Sequence, residues 1–336
     1  MDEMTPTDPP AQAPSSADGL AEHAALANRI RDEVSRVIVG QDDAITHVVA
    51  ALLAGGHVLL EGVPGLGKTL LVLALSRTFG GAFARVQFTP DLMPSDVTGH
   101  AILDGASGEF VVRKGPAFTN LLLTDEINRA PAKTQAALLE VMQEEQITIE
   151  GESFTLAPPF MVLATQNPIE QEGTYPLPEA QLDRFLLKVH IGYPDEEEEQ
   201  AIVRAVTRGS VGQKLDVSAV RRVAEPEDIL ALQAAAVRVQ VDDRITEYAV
   251  RIVRATRAWS GISVGAGPRG AIALIRVARA LALLAGRDYV LPDDIRDVSY
   301  PVLRHRVVLS PEVQIEGLSA DQVLGALLSK VPAPRS

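Results

Sequence analysis

Apolar positions along the first two thirds of the chain follow two alternating rhythms, and a single rhythm governs the rest. A helical period begins at about Ala21, with Ile30, Val34, Val37 and Ile38 on one face, and stops at Gly40. A second helix is predicted over 42–53. Short, nearly unbroken apolar runs then alternate with helical stretches. Strands are predicted at 57–60, 83–88, 121–124, 160–165 and 185–191, and helices at 68–75, 131–145 and 179–184. Strands without polar alternation are covered on both faces, which predicts a parallel sheet between helices. Two strand–turn–strand signals interrupt the series beside this core, at 102–112 around Asp104-Gly105 and at 147–156 around Glu150-Gly151. Beyond Pro194 the helical period dominates, with helices predicted at about 195–207, 226–238, 243–259, 268–285 and 292–304. The expected organisation is a flexible Pro/Ala-rich tail over 1–20, an α/β domain over 21–208 and a mainly helical domain over 209–336.

Composition narrows this little but excludes several chemistries. A chain of 336 residues suits about two domains. With no cysteine there are no disulfides, zinc–thiolate sites or thiol nucleophiles, which fits a reducing cytoplasm. The six histidines show no metal-ligand spacing. A formal charge of −13 disfavours nucleic-acid binding through bulk charge. No apolar run is long enough for a membrane span, and the acidic start Met1-Asp2-Glu3-Met4 does not read as a secretory signal.

The chemistry is concentrated where strands give way to loops. Gly62-Val63-Pro64-Gly65-Leu66-Gly67-Lys68-Thr69 fits G-x-x-x-x-G-K-[ST] between a predicted strand and a predicted helix, the context in which that pattern cradles phosphate. Its glycines let backbone N–H groups turn inward, and the helix that runs on through Leu70 adds positive potential. Lys68 would reach the β- and γ-phosphates, and the Thr69 hydroxyl would hold Mg²⁺. Leu121–Thr124 ends in Asp125-Glu126. A strand end in an open α/β sheet faces the ligand crevice, so Asp125 would hold Mg²⁺ with Thr69, and Glu126 would polarise the attacking water. The bland alternative is an acidic turn capping a helix. Asn167, at the tip of the next strand, could reach the γ-phosphate and that water, or could be only an Asn-Pro turn. Arg184 is either a cation at a helix C-terminus or a finger stabilising transition-state charge in a neighbouring subunit. Arg269 lies in the first turn of a helix and opposes its dipole, so it needs an anionic partner, which a phosphate would supply. The acidic run Asp195–Glu199 reads as a helix N-terminus.

These motifs in this order resemble the AAA+ ATPase superfamily, and most closely its MoxR-type members in the helix-2-insert branch. The resemblance is carried by Val37-Ile38-Val39-Gly40-Gln41, the phosphate loop, Gln87-Phe88-Thr89-Pro90-Asp91, Gly115-Pro116, Asp125 through Pro131, Ala164 through Pro168, Leu177 through Phe185 and Tyr300 through Arg306, and it spans about 25–310. It implies a P-loop core with hairpin insertions followed by a smaller all-α lid, assembled in rings, usually hexamers, with ATP between subunits. Val39 and Gly40 would line the adenine pocket and Asn167 would be the first sensor. Arg184 would act in trans, and Arg269 would be the second-sensor arginine. Gly267 departs from the Ser more usual there. The implied activity is Mg-dependent ATP hydrolysis that remodels, matures or activates partner proteins, typically ones carrying a von Willebrand factor A domain. The alternatives are the ATPase subunit of a magnesium-chelatase-like complex and, from another class, a nucleotide-gated scaffold with little turnover. Glu126 and Arg184 argue against the scaffold.

Overall fold

The computed structural model describes residues 16–63, 65–105, 108–167, 174–207 and 216–334. The first helix, α1 (Ser16–Ser35), starts before the position expected, so residues 16–20 are helical and not tail. Residues 1–15 and Pro64 lie outside the described residues, as does the expected domain boundary at 208/209. In chain order there follow α2 (Asp42–Leu53), β1 (Val58–Glu61), α3 (Lys68–Thr78), β2 (Phe83–Gln87), α4 (Pro94–Thr98), β3 (Gly99–Leu103), β4 (Phe110–Lys114), β5 (Leu121–Asp125), α5 (Ala132–Glu144), β6 (Gln146–Ile149), β7 (Glu152–Thr155), β8 (Met161–Gln166), α6 (Glu179–Leu182), β9 (Leu187–His190) and α7 (Glu196–Thr207). The second half comprises α8 (Pro226–Arg238), α9 (Asp243–Ala258), β10 (Ile262–Val264), α10 (Pro268–Leu284), α11 (Pro292–Leu303), β11 (Val308–Leu309), α12 (Pro311–Ile315) and α13 (Ala320–Leu328).

Five strands form one sheet in the order β2-β5-β8-β1-β9, and every pair in it is parallel. The unbroken apolar runs are explained by two cores, one on each face. Val58, Leu60, Leu121 and Leu123 join the core beneath α1, α2 and α3, while Leu59, Leu122, Val162 and Ala164 join the one beneath α5. The order places the C-terminal ends of β5, β8 and β1 side by side, although more than 100 residues separate Glu61 from Gln166. Segments that leave these three strands therefore converge on one crevice.

Both expected hairpins form. In β3–β4, Leu103 pairs with Phe110, and both are largely exposed; in β6–β7, Ile149 pairs with Glu152. The acidic run caps α7, where Asp195 and Glu198 exchange backbone-to-carboxylate bonds of 2.9 Å.

The second half is helical except for the β10–β11 ribbon, and it shares the core of the sheet's α1–α3 face. Side chains pin the two halves together: Gln233 Nε2 donates to Leu52 O at 2.8 Å, Asn28 Nδ2 to Leu284 O at 2.8 Å, and Arg221 makes a paired contact with the buried Glu33 carboxylate. The ribbon and the last two helices had no counterpart in the sequence pattern. Val323, Leu324, Leu327 and Leu328 of α13 are buried against the shared core. Among the described residues, no helix is long and apolar enough to cross a membrane.

Candidate active site

The loop after β1 turns tightly because only glycine fits. A Cβ on Gly62 would come within 2.5 Å of Ile191 O, at the end of the neighbouring strand β9. Gly67, at the N-cap of α3, has φ +78°, a conformation that costs a side-chain-bearing residue energy. The loop opens onto a cleft of about 710 Å³. Gly65, Leu66, Gly67, Lys68, Thr69 and Leu70 line it, together with Asp125, Glu126 and Asn167. Val39, Ile38, Tyr193 and Val203 line it as well. Gly40, Gly62 and Val63, also expected at the nucleotide, are not among the residues that line the cleft, and Gly40 packs closely against Glu198. Lys68 is half-buried; desolvation pushes its pKa down, opposed by Asp125, Glu126 and Glu61. Its ammonium donates to Gly62 O at 2.5 Å.

The carboxylate pair reaches the cleft through a backbone device. Asp125 ends β5 in extended conformation, and Glu126 then adopts φ +55°, in the left-handed region. Adjacent strand residues would point apart, and this turn brings both carboxylates to one cavity. Thr165 of β8 holds it. Its hydroxyl accepts from Glu126 N at 2.9 Å and donates to Asp125 Oδ1 at 3.2 Å. Asp125 Oδ2 accepts from Arg85 Nε at 2.6 Å. Glu126 Oε2 accepts from Gln87 Nε2 at 2.9 Å and pairs with Arg129 Nε at 3.0 Å. Asn167 is buried at the cleft wall.

Arg184 and Arg269 are elsewhere. They share a second pocket, of about 320 Å³, with Asp183, Arg276 and Arg306. Arg184 Nη1 donates to Leu139 O. Arg269 Nη1 lies 3.7 Å from Asp183 Oδ2, and Arg306, almost fully buried, holds Asp183 Oδ1 at 2.8 Å. Asp183 is thus the anionic partner that the position of Arg269 required, and neither Arg184 nor Arg269 lines the nucleotide-sized cleft.

Residues 57–187 match the family model for the ATPase family associated with various cellular activities (AAA), and residues 254–326 match an AAA lid domain. Chaperone MoxR1 of Mycobacterium tuberculosis is 46% identical over 96% of this chain and 86% of its own length. Protein MoxR of Methylorubrum extorquens is 34% identical over 92% of this chain and 95% of its own. The chain belongs to the MoxR family of AAA+ ATPases. A solved structure of an inferred ATPase from Cytophaga hutchinsonii matches it with a TM-score of 0.86 at 43% identity, over 95% of this chain and 98% of that one. A magnesium-chelatase 38 kDa subunit from Acidiphilium rubrum is more distant, 28% identical over 65% of this chain and 62% of its own length. As a MoxR-family AAA+ protein the chain is an ATP hydrolase, with a parallel α/β core followed by a helical lid.

Three cleft residues received no role from the sequence. Gln87 and Thr165 lay inside recognised motifs, but their contacts with the carboxylate pair depend on strand pairing. Arg85 carried a usable signal: it shares a face of β2 with Gln87, so the two polar side chains of an otherwise apolar strand point the same way.

Proposed function

We propose that this chain works as a homo-oligomeric ring, a hexamer by family resemblance, in which Mg-dependent ATP hydrolysis drives chaperone-like remodelling or activation of a client protein. The partner class we favour is proteins carrying a von Willebrand factor A domain. The observation that carries the ring is the separation of the site's parts. Lys68, Thr69, Asp125, Glu126 and Asn167 share one cleft, whereas Arg184 and Arg269 share another pocket with no phosphate loop. A subunit so built supplies one half of a site from each of two faces, and a neighbouring copy supplies the complement. The names of the closer relatives favour a chaperone over the chelatase alternative.

In this reading the loop's N–H groups and Lys68 bind the β- and γ-phosphates, and Asn167 and Glu126 orient the attacking water. A P–O bond forms between water and the γ-phosphorus as the bond to the β–γ bridging oxygen breaks. The water's proton passes to the Glu126 carboxylate, and ADP and phosphate leave. The Thr69 hydroxyl and the Asp125 carboxylate form an all-oxygen donor pair suited to Mg²⁺, which takes few protein ligands beside nucleotide phosphates. When bound, the ion offsets charge developing on the phosphate oxygens. Arg184, and Arg269 beside it, would meet the same charge from the adjoining subunit.

Mixing variants tests this. Glu126→Gln should bind ATP without turning it over, and Arg184→Ala should be similarly inactive. Mixed rings should recover part of the parent rate, because some interfaces then carry both an intact Glu126 and an intact Arg184. If mixing restores nothing while both variants still co-assemble, the shared-site reading fails.

A further inference from the structure

Arg85 lies against the carboxylate proposed to hold the cation. Its Nε lies 2.6 Å from Asp125 Oδ2, at the phosphate end of the cleft, on a side chain that is half exposed while Asp125 is only 9% exposed. The other carboxylate oxygen is taken by Thr165. Each Asp125 oxygen thus has a partner, and the one on Oδ2 is a half-exposed guanidinium. A cation approaching Oδ2 meets the charge of Arg85 on the same oxygen and is repelled by it while Arg85 stays.

We propose that Arg85 is a resident counter-ion for Asp125, neutralising the carboxylate while the cleft is empty and yielding it when a divalent cation enters with the nucleotide. This rests on reading Asp125 as the cation-holding carboxylate. The physical reason is charge balance at the phosphate end. Without Arg85, Asp125 and Glu126 together present two negative charges close to where the nucleotide phosphates must sit, inside a partly desolvated wall. Arg129 still pairs with Glu126 at 3.0 Å and Lys68 acts on both carboxylates, but the ion pair on Asp125 is lost. A nucleotide arriving without its cation would be repelled, and one arriving with it would not.

The test measures binding of a fluorescent N-methylanthraniloyl ADP, without turnover, in excess EDTA and in saturating Mg²⁺. In Arg85→Gln the EDTA dissociation constant should rise by at least about tenfold, while the Mg²⁺ value stays within about twofold of the parent. Arg85→Lys, which keeps the charge, should restore most of the EDTA affinity. Arg85→Gln combined with Asp125→Asn should also restore it, because the charge that Arg85 offset is gone. An equal loss of affinity under both conditions, no loss under either, or failure of both rescues in folded protein overturns the counter-ion role. Asp125→Asn alone separates this from the underlying reading. If it keeps the full Mg²⁺ enhancement of binding, Asp125 is not the cation-holding carboxylate, whatever Arg85→Gln does.

Discussion

Thr165→Val removes one hydroxyl and almost no volume, and it should disable the site through its supports. The residue is 2% exposed in parent protein. Its hydroxyl accepts the Glu126 N–H at 2.9 Å and donates to Asp125 Oδ1 at 3.2 Å. Valine leaves that N–H without a partner, at a cost of about 1–3 kcal/mol, and takes from a carboxylate a bond worth about 1.5–3 kcal/mol, of which the surviving Arg85 contact returns part. A net loss of about 2–4 kcal/mol follows, or about 3–6 °C in melting temperature for a chain of this size. The functional effect should be larger than stability alone implies. Glu126 is held at φ +55°, a conformation that persists only while its surroundings fix it. With the anchor gone, the turn relaxes and the Glu126 carboxylate leaves its position, so kcat should fall about 10- to 100-fold while KM for ATP changes little. Thr165→Ser retains the hydroxyl and should keep kcat within a few-fold of the parent. The assays are steady-state phosphate release and thermal denaturation on both variants. A valine variant with parent-like kcat would refute the argument that this hydroxyl maintains the carboxylate pair.

Two further outcomes follow from the same geometry. Gly62→Ala places a methyl 2.5 Å from Ile191 O, on a backbone held in register with β1, so the loop must shift; stability should fall by about 1–3 kcal/mol and nucleotide affinity with it, read by melting and by fluorescent-nucleotide titration. His57 is fully buried, and desolvation lowers its pKa from 6.5 to about 4, with the bond to Met142 O opposing the shift. Its Nδ1 accepts from Val162 N at 3.0 Å, and protonation would turn that acceptor into a donor facing a donor. The folded-state pKa lies below the unfolded one, so the stabilisation is present above pH 6.5 and is lost as pH falls toward 4, up to about 3 kcal/mol from this residue. Melting temperature should drop across that window, and the His57 ring resonances in NMR should not titrate between pH 8 and 5; a midpoint near 6.5 would contradict the burial argument.

The nucleotide end of this protein was legible because its chemistry is local. Gly62–Thr69 needs a strand before it and a helix after it, and both are encoded within a few residues on either side. The apolar continuity of Leu121–Leu123 likewise announced a strand covered on both faces, and it feeds two separate cores. The helices of the second half were readable for the same reason: 226–238 shows the period and, at Pro226, the start signal of a helix. What had no local signature was missed or misplaced. The early start of α1 sits in residues with little apolar periodicity, and α13 is fixed by burial against a core assembled from distant segments.

Sequence alone determined which residues carry the chemistry: a phosphate loop, an acidic pair at a strand end, and arginines near the end of the core and in the lid. It could not determine their grouping, because grouping is set by strand order and by how the lid docks. The order β5-β8-β1 brings Asp125, Asn167 and Lys68 to one cleft, and the left-handed turn at Glu126 keeps both carboxylates in it. The contacts of Asp183 with Arg306 and Arg269 hold the arginine cluster at a different pocket. Contacts such as Arg85 to Asp125, 40 residues apart along the chain, exist only once parallel strands are paired in register. Local pattern encodes the side chains, and long-range pairing decides which of them meet.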